Sequence, residues 1–491
     1  MSYTPARPLM AHQQEALSRM QGRDSFALLM EYGTGKSAVV VADAGRLYKE
    51  GELDGVLVLA PKGVYHDWGV GNPETSHWCL NLDKGVWEAD LMVHLWRGGH
   101  TKNDRYDMEV LLSRDGLSVL AVDTEALSSG TRANAACEEF LVRRTCMLVV
   151  DESTMIKSPG AARTKKVLRL ADLAHYRRIL TGFPTPRSSL DLYTQFRFLD
   201  WRILGHKSYY SYRSRYAVMR PLYLGSRTVQ QVVGYQNTEE LWRRIEPHSY
   251  RVRADDCLDL PPQIYQRREV ELPPETRRVY SELVEQCTTQ LGDGMGHVSA
   301  TLAITLIMRL HQAACGHITT ETGEVRELPC RKMDALLELI DECDDEKIVV
   351  WCHFRPSLDR VSEALKNKFG VDSCVEYHGR VVESERQRAK EEFANNPECR
   401  FFVANQQTGG RGINDLVVAR HAVYWSNPPD LELRLNSEAR TRRRGSEHHS
   451  SVVYTDLVTV GTVEEKIIQA LRQRLDMASL VVGDAWRAWL V

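Results

Sequence analysis

A short stretch near the N-terminus combines the residue types that bind phosphate. The apolar segment SFALLME (25–31) leads into Tyr32-Gly33-Thr34-Gly35-Lys36-Ser37, where a helical pattern begins. A strand, a glycine turn and a helix N-terminus place backbone N–H groups and the helix dipole against phosphate oxygens. Lys36 would contact the β- and γ-phosphates, and the Ser37 hydroxyl would bind Mg²⁺. The stretch therefore predicts a nucleoside triphosphate site, although Met30 replaces the first glycine of the full pattern and a simple glycine turn is the alternative.

An acidic pair, Asp151-Glu152, follows the apolar segment CMLVV (146–150). Both carboxylates would emerge at the carboxyl edge of a sheet, where α/β proteins bind their ligands. Asp151 suits a Mg²⁺ contact, and Glu152 could polarise the attacking water. An acidic pair by itself is more often a solvated loop. Together with the phosphate-binding stretch, however, it indicates nucleotide hydrolysis.

The segment NSEARTRRRGS (436–446) contains four arginines close together. If residues 431–444 are helical, one face of the helix carries Asn436, Arg440, Arg443 and Arg444. Arg442 would point away from that face, and the spacing does not separate Arg443 from Arg444. A guanidinium is planar and always charged, so it suits two oxygens of a phosphate. The alternative is a solvated basic cluster.

The elements that must position these residues form an α/β pattern. Many apolar segments are continuous rather than alternating, as expected for parallel strands covered by helices on both faces. The predicted strands lie within 25–31, 55–61, 91–96, 117–124, 146–152 and 177–182, and again within 347–354, 373–379, 399–407, 421–427 and 450–458. Between about 201 and 330, aromatic, arginine and helix-forming residues dominate. The sequence therefore predicts two α/β lobes that flank a mainly helical insertion.

Length and composition limit the class of protein. A chain of 491 residues exceeds one hydrophobic core, so at least two domains are expected. The net charge of −3 argues against coating of nucleic acid by bulk charge, although a local positive groove is compatible with it. The N-terminus does not resemble a signal peptide, and no apolar segment is long enough to span a membrane. The eleven cysteines, without a C-x-x-C pair, predict buried thiols in a cytoplasmic protein.

The order of motifs resembles the superfamily 2 DNA translocases, and most closely the Swi/Snf-type ATPases in their compact bacterial or phage form. The segments that carry the resemblance in the first half are LMAHQQEA (9–16), MEYGTGKS (30–37), LVLAPKGVYHDW (57–68), LAVDTEALS (120–128), LVVDEST (148–154) and LTGFPTPRSSLDLYTQFRFLD (180–200). Those in the second half are VVWCHFRPSLDRV (349–361), QQTGGRGIN (406–414), NSEARTRRRGS (436–446) and GTVEEKIIQALRQR (461–474). Each match alone is weak, but their shared order is specific.

The resemblance implies two RecA-like parallel-sheet lobes and a division of the chain. The implied segments are an ATP-binding lobe at 1–204, a mainly helical insertion and linker at 205–330, a second lobe at 331–475 and a C-terminal brace at 476–491. The insertion resembles protrusions that grip duplex DNA in this family. Its segment YYSYRSRY (209–216) suits such a role, although a packed helical surface is the alternative.

The resemblance also assigns roles to individual residues. ATP binding is implied for Gln13, Tyr32, Gly33, Thr34, Gly35, Lys36, Ser37 and Arg411, with Gln13 on the adenine. The family's two arginines fall on Arg440 and Arg443, where they would stabilise charge on the γ-phosphate, and Gly445 would end their helix. The implied catalytic set is Lys36, Asp151, Glu152, Arg440 and Arg443, and Mg²⁺ would be held by Ser37 and Asp151. Contacts with the DNA backbone are implied for Lys62, Thr124 and Thr408.

The function implied is DNA-stimulated ATP hydrolysis, with ATP and Mg²⁺, that drives translocation along duplex or branched DNA. One alternative is a strand-separating or branch-remodelling helicase. Another is a nucleic-acid-binding scaffold with a decayed ATPase, suggested by Met30, Ser153-Thr154 and Phe183, where the family usually has other residues. The expected location is the cytoplasm, with nucleoid association if the source is bacterial or phage.

Overall fold

The chain divides into two compact units in a computed structural model. The structure describes residues 3–473 except 74–75, 99–100, 130, 187, 225–226, 293–299, 321, 411–412 and 414. The N-terminal unit comprises residues 1–219 and 233–258, and the C-terminal unit comprises 220–232 and the chain from 259 onward. Arg411 and the predicted brace at 476–491 lie outside the described residues.

The N-terminal unit is built on a parallel sheet of seven strands in the order β3-β4-β2-β5-β6-β1-β9. The strands are β1 Ser25–Met30, β2 Gly55–Ala60, β3 Met92–Leu95, β4 Ser118–Asp123, β5 Cys146–Asp151, β6 Tyr176–Leu180 and β9 Ser249–Val252. Strands β2 and β5 are buried along their whole length, because helices cover both faces of the sheet. All the carboxyl ends of these strands therefore meet at one edge.

Most helices of this unit connect successive strands, whereas the first precedes β1 and the last follows β9. They are α1 Ala11–Met20, α2 Lys36–Lys49, α3 His77–Asn81, α4 Lys84–Ala89, α5 Lys102–Ser113, α6 Ala126–Ser129, α7 Thr131–Arg143, α8 Ala162–Ala171, α9 Leu192–Leu199, α10 Trp201–Leu204, α11 Tyr209–Tyr216, α12 Thr238–Ile245 and α13 Ala254–Cys257. Side chains of Asp83, Thr101 and Ser208 accept backbone N–H bonds at the starts of α4, α5 and α11. Such caps fix where a helix begins.

The C-terminal unit contains a second parallel sheet, with six strands in the order β10-β17-β16-β13-β15-β14. Its strands are β10 Gln263–Val270, β13 Ile348–Trp351, β14 Cys374–Tyr377, β15 Phe401–Ala404, β16 His421–Tyr424 and β17 Val452–Thr459. Its helices are α14 Pro274–Gly292, α15 Ala300–Ala314, α16 Lys332–Glu342, α17 Arg355–Phe369, α18 Glu383–Asn395, α19 Gln406–Gly409, α20 Leu431–Thr441 and α21 Val463–Arg472. Two separate apolar clusters pack on this sheet.

The two-lobe α/β fold is confirmed, and every predicted strand is present. The predicted insertion contains helices as expected, but it also supplies strands. Two small sheets pair β7 Ala217–Leu224 with β8 Arg227–Tyr235, and β11 His317–Thr319 with β12 Val325–Glu327. Two further strands of this segment extend the large sheets. Strand β9 pairs with β1 at the edge of the seven-stranded sheet, and strand β10 pairs with β17 at the edge of the six-stranded sheet. The N-terminal unit therefore runs past the predicted boundary at 204.

The structure bears on two expectations from composition, which concern membrane-spanning segments and the state of the cysteines. Among the described helices, none has the length and apolar character that crossing a membrane requires. The cysteines whose side chains are described carry free thiols, and most of them are buried.

A buried ion pair ties together four elements of the C-terminal unit. The Lys332 ammonium, at the start of α16, lies 2.5 Å from Glu464 Oε1 and donates to the Trp425 carbonyl. Glu464 also accepts the Thr459 backbone N–H, and His311 lies 3.4 Å from the same carboxylate oxygen as Lys332. Burial alone would raise the pKa of Glu464, but Lys332 and His311 lower it to about 2.

His311, Cys315 and Glu464 are close enough to ligate a metal, but Lys332 already supplies the cation at this carboxylate.

Replacing Lys332 with methionine should leave the Glu464 carboxylate buried without its cation. We expect Lys332→Met to lower the free energy of unfolding by about 3–5 kcal/mol at pH 7 in urea denaturation. Because the pKa of Glu464 is lowered in the folded state, the stabilisation should be lost as the pH falls from above 4.5 towards 2.

The matched control is Lys368→Met, since Lys368 pairs with Asp341 on the surface. An exposed pair of this kind contributes only about 0–1 kcal/mol. Equal losses of stability in the two variants would contradict the assigned role of Lys332.

Candidate nucleotide site

The phosphate-binding turn of the N-terminal unit joins β1 to α2. Gly33 and Gly35 have φ values of 80° and 84°, which favour glycine. Gly35 is the residue before the first turn of α2, and a Cβ on it would lie 2.2 Å from Gln13 Nε2. The turn therefore needs glycine at 35 for both its conformation and its close contact with α1. Lys36 and Ser37 open α2, as predicted, at the positive end of the helix dipole.

The Lys36 side chain folds over this turn. Its Nζ donates to the carbonyls of Met30 at 2.9 Å and Glu31 at 3.3 Å, and lies 5.2 Å from the centre of the Tyr32 ring. Met30 contributes its carbonyl here, while its side chain is fully buried in the apolar core. The missing first glycine is therefore compatible with the turn, because the methionine side chain packs away into the core.

Gln13 holds the turn from the side of α1. Its Oε1 accepts the Met10 backbone N–H at 3.0 Å, and its Nε2 donates to the Thr34 carbonyl at 3.0 Å. The His12 ring also contacts that carbonyl, and the Thr34 hydroxyl donates to the Glu31 carbonyl at 2.7 Å. The structure thus brings Gln13 to the phosphate-binding turn. Its contact with adenine stays a prediction.

The acidic pair lies at the carboxyl edge of the same sheet. Asp151 is the last residue of β5, and its Oδ2 accepts the Trp68 indole N–H at 3.0 Å. Its Oδ1 accepts the Glu152 backbone N–H, also at 3.0 Å. Burial raises the pKa of Asp151, whereas the Trp68 hydrogen bond and the Lys36 charge act to lower it. A buried carboxylate near the Lys36 charge fits a ligand of a Mg²⁺–phosphate group, and Ser37 follows Lys36 in the first turn of α2.

Glu152 adopts a left-handed backbone conformation, with φ of 50° and ψ of 62°. For a residue other than glycine, asparagine or aspartate this conformation is uncommon and costs about 1–3 kcal/mol. The neighbouring Ser153 is fully buried, so the turn is held from its other side. Glu152 itself is half-buried, which is compatible with a residue that positions water.

A buried hydrogen-bond network connects the acidic turn with the segment after β6. Ser153 Oγ donates to Gln195 Oε1 at 2.7 Å. Gln195 Nε2 in turn donates to the carbonyls of Pro184 at 2.7 Å and Asp191 at 2.9 Å. Gln195, on α9, is fully buried. Three segments of the N-terminal unit are therefore fixed relative to one another through one amide.

A second contact joins the phosphate-binding turn to this segment. A Cβ on Gly182 would lie 3.0 Å from the Tyr32 ring, so a larger residue would require the ring to shift by a few tenths of an ångström. Phe183, which replaces the family's usual threonine, donates its backbone N–H to Thr181 Oγ1. The network at Gln195 does not depend on the side chain at 183.

The DNA-contact candidates of the N-terminal unit differ in exposure. Lys62 follows β2 and is exposed, as a phosphate contact requires. Thr124 follows the neighbouring strand β4, but it is fully buried, and its hydroxyl has no hydrogen-bond partner among the described residues. A contact of Thr124 with DNA stays a prediction, made of a residue whose side chain is buried in this structure.

The arginine segment of the C-terminal unit is only partly helical. Helix α20 ends at Thr441, because Arg442 is extended with φ of −112° and ψ of 91°. Arg440 is on the helix and buried, and it donates to the carbonyls of Asn436 and Ile413, each at 3.1 Å. Arg443 and Arg444 therefore do not share the helix face that the spacing predicted, and Gly445 does not end the helix.

The remaining arginines have different environments. Arg442 is half-buried and donates to the Pro261 carbonyl at 2.6 Å. Arg443 is half-buried and Arg444 is exposed. Thr408, the DNA-contact candidate of this unit, is half-buried in the short helix α19.

Comparison with known families decides the class of protein. Residues 12–318 match the family described as SNF2-related domain. The chain belongs to the SNF2-related family. Residues 331–445 match a helicase conserved C-terminal domain.

Several relatives share part of this SNF2-related chain. It is 24% identical over 376 residues to the TATA-binding protein-associated factor mot1 of Aspergillus fumigatus, covering 68% of this chain and 20% of the relative. It is 24% identical over 452 residues to the DNA annealing helicase and endonuclease ZRANB3 of Mus musculus, covering 90% and 38%. The chain thus spans well under half the length of these relatives. A solved Sulfolobus solfataricus SWI2/SNF2 ATPase core in complex with dsDNA matches with 22% identity, a TM-score of 0.41 and coverage of 99% and 96%.

Two residues of this SNF2-related site were not predicted from the sequence. Trp68 ends the segment LVLAPKGVYHDW, which carries part of the family resemblance, and its indole N–H donates directly to Asp151. Gln195 lies inside a recognised motif but received no role. The available signal was an amide on the same helix face as Leu192 and Leu199, since a buried amide requires partners.

Removal of the Ser153 hydroxyl should loosen the turn that carries Glu152. We expect Ser153→Ala to lower kcat for ATP by about threefold to tenfold, corresponding to loss of one hydrogen bond of about 1 kcal/mol. The KM for ATP should change little, because the contacts around Lys36 are untouched.

Steady-state ATPase assays measure both constants. Ser158→Ala, on an exposed position of the same loop, is the control and should keep the parental values. A parental kcat in Ser153→Ala would show that this link does not position the acidic turn.

Proposed function

We propose that this chain is a DNA-stimulated ATPase whose two units act as a translocation motor on duplex DNA. The observation that carries the proposal is the shared location of Lys36, Asp151 and Glu152 at the carboxyl edge of one sheet, with Gln13 fixed against the turn. Family membership supports ATP as the substrate. Two relatives support DNA as the partner, because they are named a DNA annealing helicase and a DNA repair and recombination protein.

The chemistry follows from the groups present. On ATP binding, Lys36 would exchange its hydrogen bonds with the Met30 and Glu31 carbonyls for bonds with phosphate oxygens. Backbone N–H groups at the start of α2 would hold the β-phosphate. Glu152 would accept a hydrogen bond from the attacking water and direct it to the γ-phosphate. Bound Mg²⁺, held by Ser37 and Asp151, would supply positive charge for the phosphates.

The buried Asp151 suits this role, because its hydrogen bond from Trp68 fixes the carboxylate before the ligand arrives. A ligand oxygen that is already oriented loses little conformational freedom on binding. We expect Gln13 to read the adenine and Arg411 to contact ATP as well.

We propose that the C-terminal unit supplies further positive charge to the bound triphosphate. We assign this role to Arg440 and Arg443, which would stabilise the charge that develops on the γ-phosphate. Arg440 is held rigidly by two backbone carbonyls, whereas Arg443 follows the helix end and is less enclosed. ATP binding would then close the units and product release would open them. Lys62 and Thr124 of the N-terminal unit would alternate with Thr408 of the C-terminal unit as contacts with the DNA backbone.

Duplex DNA should accelerate ATP turnover if the proposal is correct. The increase should weaken as salt rises, because phosphate contacts release counterions. ATPase assays with single-stranded, duplex and forked DNA measure it, and Lys36→Ala supplies the inactive control. An ATP turnover rate that does not change when duplex DNA is added would contradict the proposed translocase. Release of a labelled strand from a fork would favour a strand-separating helicase, and parental turnover in Lys36→Ala would favour the decayed scaffold.

The arginine assignment has its own test. We expect Arg443→Ala to bind ATP with near-parental affinity but to lose turnover by about 10³-fold or more, because the group acts on charge in the transition state. Arg444→Ala is the matched control, since Arg444 is the adjacent exposed arginine. Hydrolysis by Arg443→Ala at the parental rate would remove this residue from the site.

A further inference from the structure

The N-terminal unit has a second polar cavity at the opposite edge of its sheet from Lys36. It has a volume of about 500 Å³ and lies against the amino ends of the neighbouring strands β6, β1 and β9. Ser25, Arg177 and His248 come from those strand ends. Strand β1 separates this cavity from the phosphate-binding turn by its six residues, a length of about 20 Å. The cavity is therefore distinct from the nucleotide site.

Four arginines line this cavity, which we term the amino-edge pocket: Arg23, Arg177, Arg197 and Arg202. The imidazoles of His175 and His248 also face it, as do three aspartates. The guanidinium groups thus outnumber the carboxylates, even with both imidazoles neutral. Its volume is within the range of about 300–1,000 Å³ that small-molecule sites occupy.

The arginines at its centre are incompletely neutralised. Arg202 pairs with Asp200 at 3.3 Å on the exposed rim. Within the described part of the chain, neither Arg177 nor Arg197 forms an ion pair with a carboxylate. Arg177 Nη1 donates to the Leu199 carbonyl at 2.7 Å, whereas its buried Nε has no hydrogen-bond partner among the described residues.

Electrostatics agree with this geometry. Burial lowers the pKa of Arg177, and the charge of Arg197 lowers it as well, although Asp172, Asp200 and Asp24 act in the opposite direction. Burial and the charge of Arg23 lower the pKa of His248. Two adjacent guanidinium groups without a bonded carboxylate destabilise each other, and an anion between them would remove that repulsion.

We propose that the amino-edge pocket binds the phosphate group of a compact phosphorylated ligand through Arg177 and Arg197. Two planar guanidinium forks present several N–H donors to the oxygens of one tetrahedral anion, which a lone lysine would not do. Arg177 and Arg197 both line the cavity, so each can present such donors to a bound anion. Either a free pyrophosphate-like molecule or the terminal phosphate of a nucleic-acid strand carries this chemistry.

The test uses the full chain with Lys36→Ala, so that the nucleotide site contributes no phosphate binding. Equilibrium dialysis with labelled pyrophosphate should detect one remaining site. Addition of Arg197→Gln should weaken that site by about tenfold or more, the loss expected for one charged contact. Addition of Arg169→Gln, an exposed arginine on α8, should leave it unchanged. Thermal unfolding of each variant verifies that the fold is retained.

Competition identifies the source of the phosphate. A 5′-phosphorylated oligonucleotide that displaces pyrophosphate, while the unphosphorylated strand does not, would indicate a strand end. Displacement by neither would indicate a small free ligand. Absence of pyrophosphate binding in Lys36→Ala, or equal affinity in the Arg197→Gln and Arg169→Gln variants, would overturn the proposal. ATP turnover is not part of this readout, so the result is independent of the proposed motor function.

Discussion

The candidate nucleotide site depends on one constraint: the buried negative charge of Asp151 must be balanced by hydrogen-bond donors and a nearby positive charge. A carboxylate at the end of a fully buried strand is unfavourable unless hydrogen bonds and positive charge surround it. Trp68 supplies an indole N–H, the Glu152 backbone supplies another donor, and Lys36 supplies charge. These partners come from three different strand ends of one sheet. The groups that stabilise the buried Asp151 carboxylate are therefore arranged as binding of a magnesium-bound triphosphate would require.

The sequence predicted the strands well where burial on both faces produces continuous apolar segments, as in β2 and β5. It missed β9 and β10, which lie at the edges of their sheets and carry polar residues such as those of QIYQRREV. The positions of the candidate catalytic residues of the N-terminal unit were predictable, because a glycine turn and an acidic strand end are local patterns, and their catalytic roles stay predictions. Trp68 and Gln195 were not, since each acts through a contact distant in sequence.

The structure explains some departures from the family pattern and corrects one expectation. Met30 lies in the core and Thr154 is buried, so neither blocks the turn or the acidic edge. The arginine helix is shorter than its spacing suggested, because Arg442 leaves the helix and bonds to Pro261. Helical periodicity cannot reveal such an end when the terminating contact lies about 180 residues away. Placement of Arg443 therefore rests on the family pattern rather than on helix geometry.

The central claim is that one triphosphate is held by Lys36 and Asp151 and completed by an arginine from the other unit. A structure of the chain with duplex DNA, Mg²⁺ and an ADP–beryllium fluoride analogue measures this directly. We expect the fluoride group to lie within hydrogen-bonding distance of Lys36 and of the guanidinium of Arg440 or Arg443. An analogue bound at Lys36 with both guanidinium groups out of reach while DNA is engaged would contradict the account.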